Sequence, residues 1–162
     1  MRGTQRGFSL IELLIVVAII LIVVAIAIPN FLRSRIAANQ ASAIESMRNI
    51  STADVTYFTT YGTGFSTSLT YLAPPPAGQA VTSTAAGLID DALARGEKSG
   101  YSFSYTATEY DPGTHMWDGY SLEASPSVFG QTGDMYYFAD QSHVIRGNAT
   151  TTATSTDSAV GE

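Results

Sequence analysis

"RGFSLIELLIVVAIILIVVAIAIPNF", Arg6–Phe31, decides how this chain is read. From Leu13 to Ile28 no residue is polar. At about 1.5 Å per residue, a helix from Phe8 to Ile28 is roughly 30 Å long, the thickness of a bilayer core. Glu12 nevertheless stands near its start. A carboxylate in hydrocarbon costs about 2.5–3.5 kcal/mol on insertion scales. Gly7-Phe8 separates the apolar run from a short leader holding Arg2 and Arg6.

Three readings fit the segment. A secretory signal would use Arg2 and Arg6 as its basic region and Ala25-Ile26-Ala27 as its cleavage site. Against it, the apolar run exceeds the usual h-region, and Pro29 would stand second in the mature chain. A plain membrane anchor would tolerate Glu12 at the interface. Its orientation stays open, because Arg2 and Arg6 are balanced by Arg33 and Arg35. The third reading uses the leader, Gly7 and Glu12 together.

Gly7-Phe8-Ser9-Leu10-Ile11-Glu12-Leu13, with Ala27-Ile28-Pro29-Asn30-Phe31 closing the run, resembles the N-terminus of type IV pilins and of type II secretion pseudopilins. The resemblance implies cleavage between Gly7 and Phe8 by a membrane-embedded prepilin peptidase, which then N-methylates Phe8. The new α-amine of Phe8 and the Glu12 carboxylate of a neighbouring subunit would form an assembly charge pair. Unpaired in lipid each is costly; paired, each offsets the other's desolvation and fixes the axial stagger. Pro29 lacks an amide hydrogen and is expected to kink the helix. Many relatives carry a glycine in the middle of the apolar run, where this chain has Leu21.

The remainder is polar and acidic. Of 8 basic and 14 acidic residues, all but Arg2, Arg6 and Glu12 lie beyond Pro29, leaving six against thirteen. That balance argues against nucleic acid as a partner. With no cysteine there is neither a disulfide framework nor a thiolate metal site. No nucleophile elbow, zinc-protease, P-loop or EF-hand pattern occurs, so no catalytic, cofactor-binding or metal residue is assigned. His115 and His143 fit surface or cross-strand roles, and Asp90-Asp91 a solvated helix start. Asp134 and Asp140 flank one strand; the Trp- and Gly-rich C-terminal stretch of calcium-holding major pseudopilins is absent.

The expected organisation is α+β: a long N-terminal helix with a small antiparallel sheet packed on its exposed half. Residues 1–7 form the leader, 8–29 the transmembrane and filament-core helix, and 30–59 an amphipathic helix. In the last, Ile36, Ile44, Met47, Ile50, Val55 and Phe58 share an arc of about 140°, which Asp54 interrupts. Residues 60–147 form loops and the sheet. A short helix is expected over Thr84–Arg95, then strands at "YSFSYTAT" and "GYSLEAS" joined through a type II turn at Asp111-Pro112-Gly113-Thr114. A hairpin follows, Met135–Ala139 with His143–Arg146. Residues 148–162 read as a flexible Thr/Ser-rich tail. Asn148-Ala149-Thr150 and Asn49-Ile50-Ser51 match glycosylation triplets.

The function expected from the resemblance is a non-enzymatic structural subunit of a type IV pilus-like filament. Its alternatives are a secretion pseudopilin and a membrane-anchored periplasmic binding domain that never polymerises. Its partners would be copies of itself in a helical homo-oligomer, the prepilin peptidase and methyltransferase, and an inner-membrane assembly machinery. It would start in the inner membrane and end in a periplasmic or extracellular filament.

Overall fold

A computed structural model describes residues 8–160. The chain divides into two units, Met1–Arg35 and Ile36–Glu162. Helix α1, Leu10–Tyr61, contributes to both and contains Pro29 in its interior. In the first unit every large apolar side chain from Phe8 to Leu32 is exposed. The helix is long and apolar enough to cross a membrane, and none of its most apolar window is buried.

The second unit is α1 from Ile36 onward, two single-turn helices and a five-stranded sheet. The short helices are α2, Leu69–Leu72, and α3, Asp91–Ala94. The strands are β1 (Glu97–Lys98), β2 (Tyr101–Asp111), β3 (Met116–Pro126), β4 (Tyr136–Asp140) and β5 (Arg146–Asn148), antiparallel and in sequence order. Alternation at Tyr101, Phe103 and Tyr105 turns their rings toward α1, as the period-2 pattern demands. Leu122 and Ala124 on β3 and Tyr137 and Ala139 on β4 continue that layer beneath Met47, Ile50 and Leu72. The fold is therefore the expected α+β arrangement of a long N-terminal helix and a small antiparallel sheet.

Four local expectations change. The buried face of α1 is rotated from the predicted arc: Ala53 and Tyr57 lie in it beside Asp54, whereas Val55 is exposed. Only Asp91–Ala94 of the Thr84–Arg95 segment is helical. The amides of Ala86, Gly87, Leu88 and Ile89 donate instead to carbonyls of Tyr71, Ala73 and Leu72, so a helix there would forfeit four bonds. The β2–β3 turn is not type II, since Gly113 has no positive φ; the left-handed residue is His115, at φ 59°. The last strand begins at Arg146, leaving His143 in the connection.

The stretch expected as a flexible tail also folds back, over residues 148–160. Val160 N donates to Ile145 O (2.8 Å) and Gly147 N to Ser158 O (3.0 Å), while Ala153 is buried. These long-range backbone bonds need no apolar period, which is why composition missed them.

Gly64 closes the helix exit against the sheet. It has φ +85°, and an added Cβ would lie 2.4 Å from Trp117 N. Phe65 N donates to Trp117 O there (2.8 Å), so the backbones cannot separate freely. Gly64→Ala should lower the denaturation midpoint of the detergent-solubilised chain, a loss of about 2 kcal/mol or more. Gly62→Ala is the control: φ is +63° but nothing lies within 4 Å of its Cβ. It should cost only the backbone term, about 1 kcal/mol. Equal effects of the two would show that the approach to Trp117 is unimportant.

Candidate functional site

The helix N-terminus carries the first set of candidate residues. Ser9 precedes the first helical residue, and Leu13 N donates to its carbonyl (3.2 Å). Ser9 N donates in turn to Glu12 Oε2 at 2.9 Å. Helix starts leave backbone amides without partners, and a carboxylate at the third helical position can return to the N-cap amide. The Ser-x-x-Glu spacing before an apolar run is the sequence signature of that arrangement. The sequence reading gave Glu12 only an intersubunit role and missed this one. A negative side chain also suits the positive end of the helix dipole.

Phe8 lies beside this start, 77% exposed, and Leu10 is 80% exposed. Gly7, on the other side of the expected cleavage point, and the basic leader lie outside the described residues. The structure thus brings Phe8, Ser9 and Glu12 to one helix end, with Pro29 farther along the same helix.

The second polar centre is buried in the unit of residues 36–162. Asp54 has no exposed surface. Its Oδ1 accepts from Ser66 N (2.9 Å) and its Oδ2 from the Tyr105 hydroxyl. Burial raises the Asp54 carboxyl above the ordinary carboxylate range, against the smaller opposing pull of the Tyr105 and Ser66 hydrogen bonds. Burial and the adjacent Asp54 charge also raise the Tyr105 hydroxyl. Tyr120 stacks on Tyr105 with ring centroids 5.4 Å apart, and burial pushes its hydroxyl up to about 12. Tyr120 OH lies 3.4 Å from His143 Nδ1. The network ties α1 to the loop after it and to two strands. It offers no nucleophile–base pair open to a substrate, so its chemistry is structural.

The other polar candidates have local partners. Asp90 caps α3 through Ala92 N (3.0 Å) and Leu93 N (2.9 Å), and the Lys98 ammonium at 2.7 Å lowers its carboxyl first of all. Asp140 Oδ1 accepts from Ser142 N (2.9 Å), and Asp134 accepts from the Gln40 amide. Among the described residues no group of three or more His, Asp or Glu could hold a metal. His115 Nδ1 faces Tyr110 OH at 3.0 Å in the hairpin turn. Of the two glycosylation triplets, Asn148 is occupied: its Nδ2 donates to Asp157 Oδ1 (2.9 Å), while Asn49 is exposed.

Residues 2–28 match the family described as "Prokaryotic N-terminal methylation motif". Over 54 residues the chain is 48% identical to the "Type IV major pilin protein PilA" of Myxococcus xanthus (strain DK1622). That alignment covers 33% of this chain and 24% of the relative, so the chain matches about a quarter of that protein's length. No solved structure matches. The N-terminal segment is thus similar to that of a type IV pilin, with a prepilin-type methylation motif leading into an apolar helix.

Proposed function

We propose that this chain is the precursor of a non-enzymatic structural subunit of a type IV pilus-like filament. Prepilin peptidase cuts between Gly7 and Phe8 and methylates Phe8. Residues 8–29 hold the subunit in the inner membrane, and an assembly machinery there transfers it into a helical homo-oligomer. In the filament Glu12 leaves the Ser9 amide for the Phe8 amine of a neighbour, and Pro29 loosens the helix locally. The amphipathic helix, residues 30–59, and the sheet-bearing head, residues 60–147, lie outside the membrane.

The observation that carries this reading is the uncovered helix. A methylation motif over residues 2–28 leads into a run whose large apolar side chains are all exposed from Phe8 to Leu32. So large an apolar face is stable only in lipid or against other copies. The likeness to a protein named as a major pilin favours a pilus over a secretion pseudopilin.

Mass spectrometry of the membrane and filament fractions is the direct test. The expected mature chain begins at N-methylated Phe8. An intact Met1 in assembled material would leave a plain anchor, and a start at Ile28 would establish a secretory signal. Electron micrographs of wild-type and deletion cells then separate a filament subunit from a non-polymerising anchored domain.

A further inference from the structure

Five large apolar side chains of the 36–162 unit remain exposed: Val55, Val81, Tyr110, Val128 and Phe129. Val55 lies in a groove of about 420 Å³ between α1 and the β4–β5 connection. Arg48 and His143 line the same groove, with Ile145 on its apolar side. Arg48 has only a loose pairing within its own helix, 3.9 Å from Glu45. Ser51, also in the lining, carries a buried hydroxyl with no hydrogen-bond partner. From residue 36 onward the chain has four basic and thirteen acidic residues, so a groove lined by Arg48 and His143 is exceptional on this surface.

Charge selects what fits it. Val81 lies in the uncharged stretch Ala77–Thr84, and Val128 and Phe129 in the uncharged stretch Ser125–Gly133. Of the four outside the groove, Tyr110 alone is flanked by carboxylates. It packs on Trp117 (centroids 5.0 Å apart) at the tip of the β2–β3 hairpin, among Glu109, Asp111 and Asp118. Among the described residues none of these three makes a salt bridge.

We propose that the acidic β2–β3 hairpin tip of one copy seats in the Arg48–His143 groove of the next copy. Arg48 meets Glu109 or Asp118 by charge-assisted hydrogen bonds, and Tyr110 covers Val55. Tip and groove are separate surfaces, so one copy can use both at once. Such a head-to-tail contact propagates in an open helical array instead of closing into a symmetric dimer. The proposal rests on the filament reading above.

The test uses cells in which the full chain is the only copy. Arg48→Glu should lower sheared-filament yield about tenfold, since like charges facing across a contact repel. Adding Glu109→Arg and Asp118→Arg to Arg48→Glu should restore it. All three positions are exposed, and membrane-bound protein level with circular dichroism reports folding. In filaments of otherwise native sequence, Thr52→Cys with Thr114→Cys should give dimers and longer multimers with a flexible bis-maleimide. The chain has no cysteine to compete. Unchanged yield for Arg48→Glu, a loss that the swap does not rescue, or cross-links to another protein would each overturn the proposal. If wild-type cells make filaments while these tests fail, the filament reading stands alone. If wild type makes none, both readings fall.

Discussion

Replacing Asp54 with alanine is expected to destabilise the 36–162 unit by about 2–6 kcal/mol. The change leaves the Ser66 amide and the half-buried Tyr105 hydroxyl without their acceptor, at a position where Asp54 has no exposed surface. An orphaned buried donor costs about 1–3 kcal/mol, and there are two. Against a whole-domain stability of about 5–15 kcal/mol that is a large fraction. Asp54→Asn should be far milder, since its Oδ1 still accepts from Ser66 N and no desolvated charge is left. The same pair of variants reads the pH dependence. Burial raises the folded-state pKa of Asp54 above 3.8, so between 3.8 and that raised value the folded chain holds a proton that the unfolded chain has released. Its contribution is fully present below 3.8 and is lost as pH rises through the raised value. Asp90, shifted downward, behaves oppositely and withdraws support only as pH falls below 3.8. Denaturant titrations from acid toward neutrality should show a component that weakens with rising pH in wild type and vanishes in Asp54→Asn. Asp54→Ala matching wild type in midpoint would show that the network does not hold the head.

Asp54 also marks where the sequence stops being readable. The segment 6–31 is legible because its information is local: glycine, aromatic, carboxylate and proline at set spacings in an apolar run. The strand from Tyr101 is legible because alternation is local too. The buried face of α1 is legible only in part: Met47 and Ile50 lie in it as the apolar arc predicts, but Asp54, Ser46 and Ser51 are polar by composition yet buried by their tertiary surroundings. A carboxylate becomes acceptable inside when Ser66 and Tyr105, twelve and fifty-one residues away, bring donors to it. Residues 84–90 lose their helix for a similar reason, as Tyr71, Leu72 and Ala73 capture their amides from outside the window that periodicity samples. Glu12 is a different case. Its capping geometry was legible as Ser-x-x-Glu, but its place in an apolar run drew attention to a neighbouring chain instead. On the proposed assembly the two roles would be successive states of one carboxylate: it satisfies Ser9 N in the isolated helix and would turn to a neighbour's amine in the filament.

Those two roles can be separated, and the largest expected effect lies there. Glu12→Ala expressed alone should abolish or nearly abolish filaments while membrane-bound protein persists. Insertion does not suffer, because a polar group leaves the apolar run, worth about 2.5–3.5 kcal/mol in hydrocarbon. The head keeps its fold, since the hydrogen bond recorded for Glu12 goes to Ser9 within its own helix end. Assembly suffers because the Phe8 amine of a neighbour then enters the core without its counter-charge. Removing one partner of such a buried pair costs about 3–5 kcal/mol, and the filament repeats that loss at every subunit. The lost cap adds only about 1 kcal/mol at the first turn. Glu12→Gln discriminates between the two, because glutamine can still accept from Ser9 N and keeps the cap but not the charge. Filament yield well below wild type for Glu12→Gln assigns assembly to the charge pair. Wild-type yield for Glu12→Gln with loss for Glu12→Ala assigns it to the cap. In cells that also express wild type, Glu12→Ala chains should enter filaments at low fraction, because most neighbours still supply an intact carboxylate. The measurement is sheared filament set against total membrane-bound protein, and a normal ratio for Glu12→Ala alone would remove Glu12 from assembly altogether.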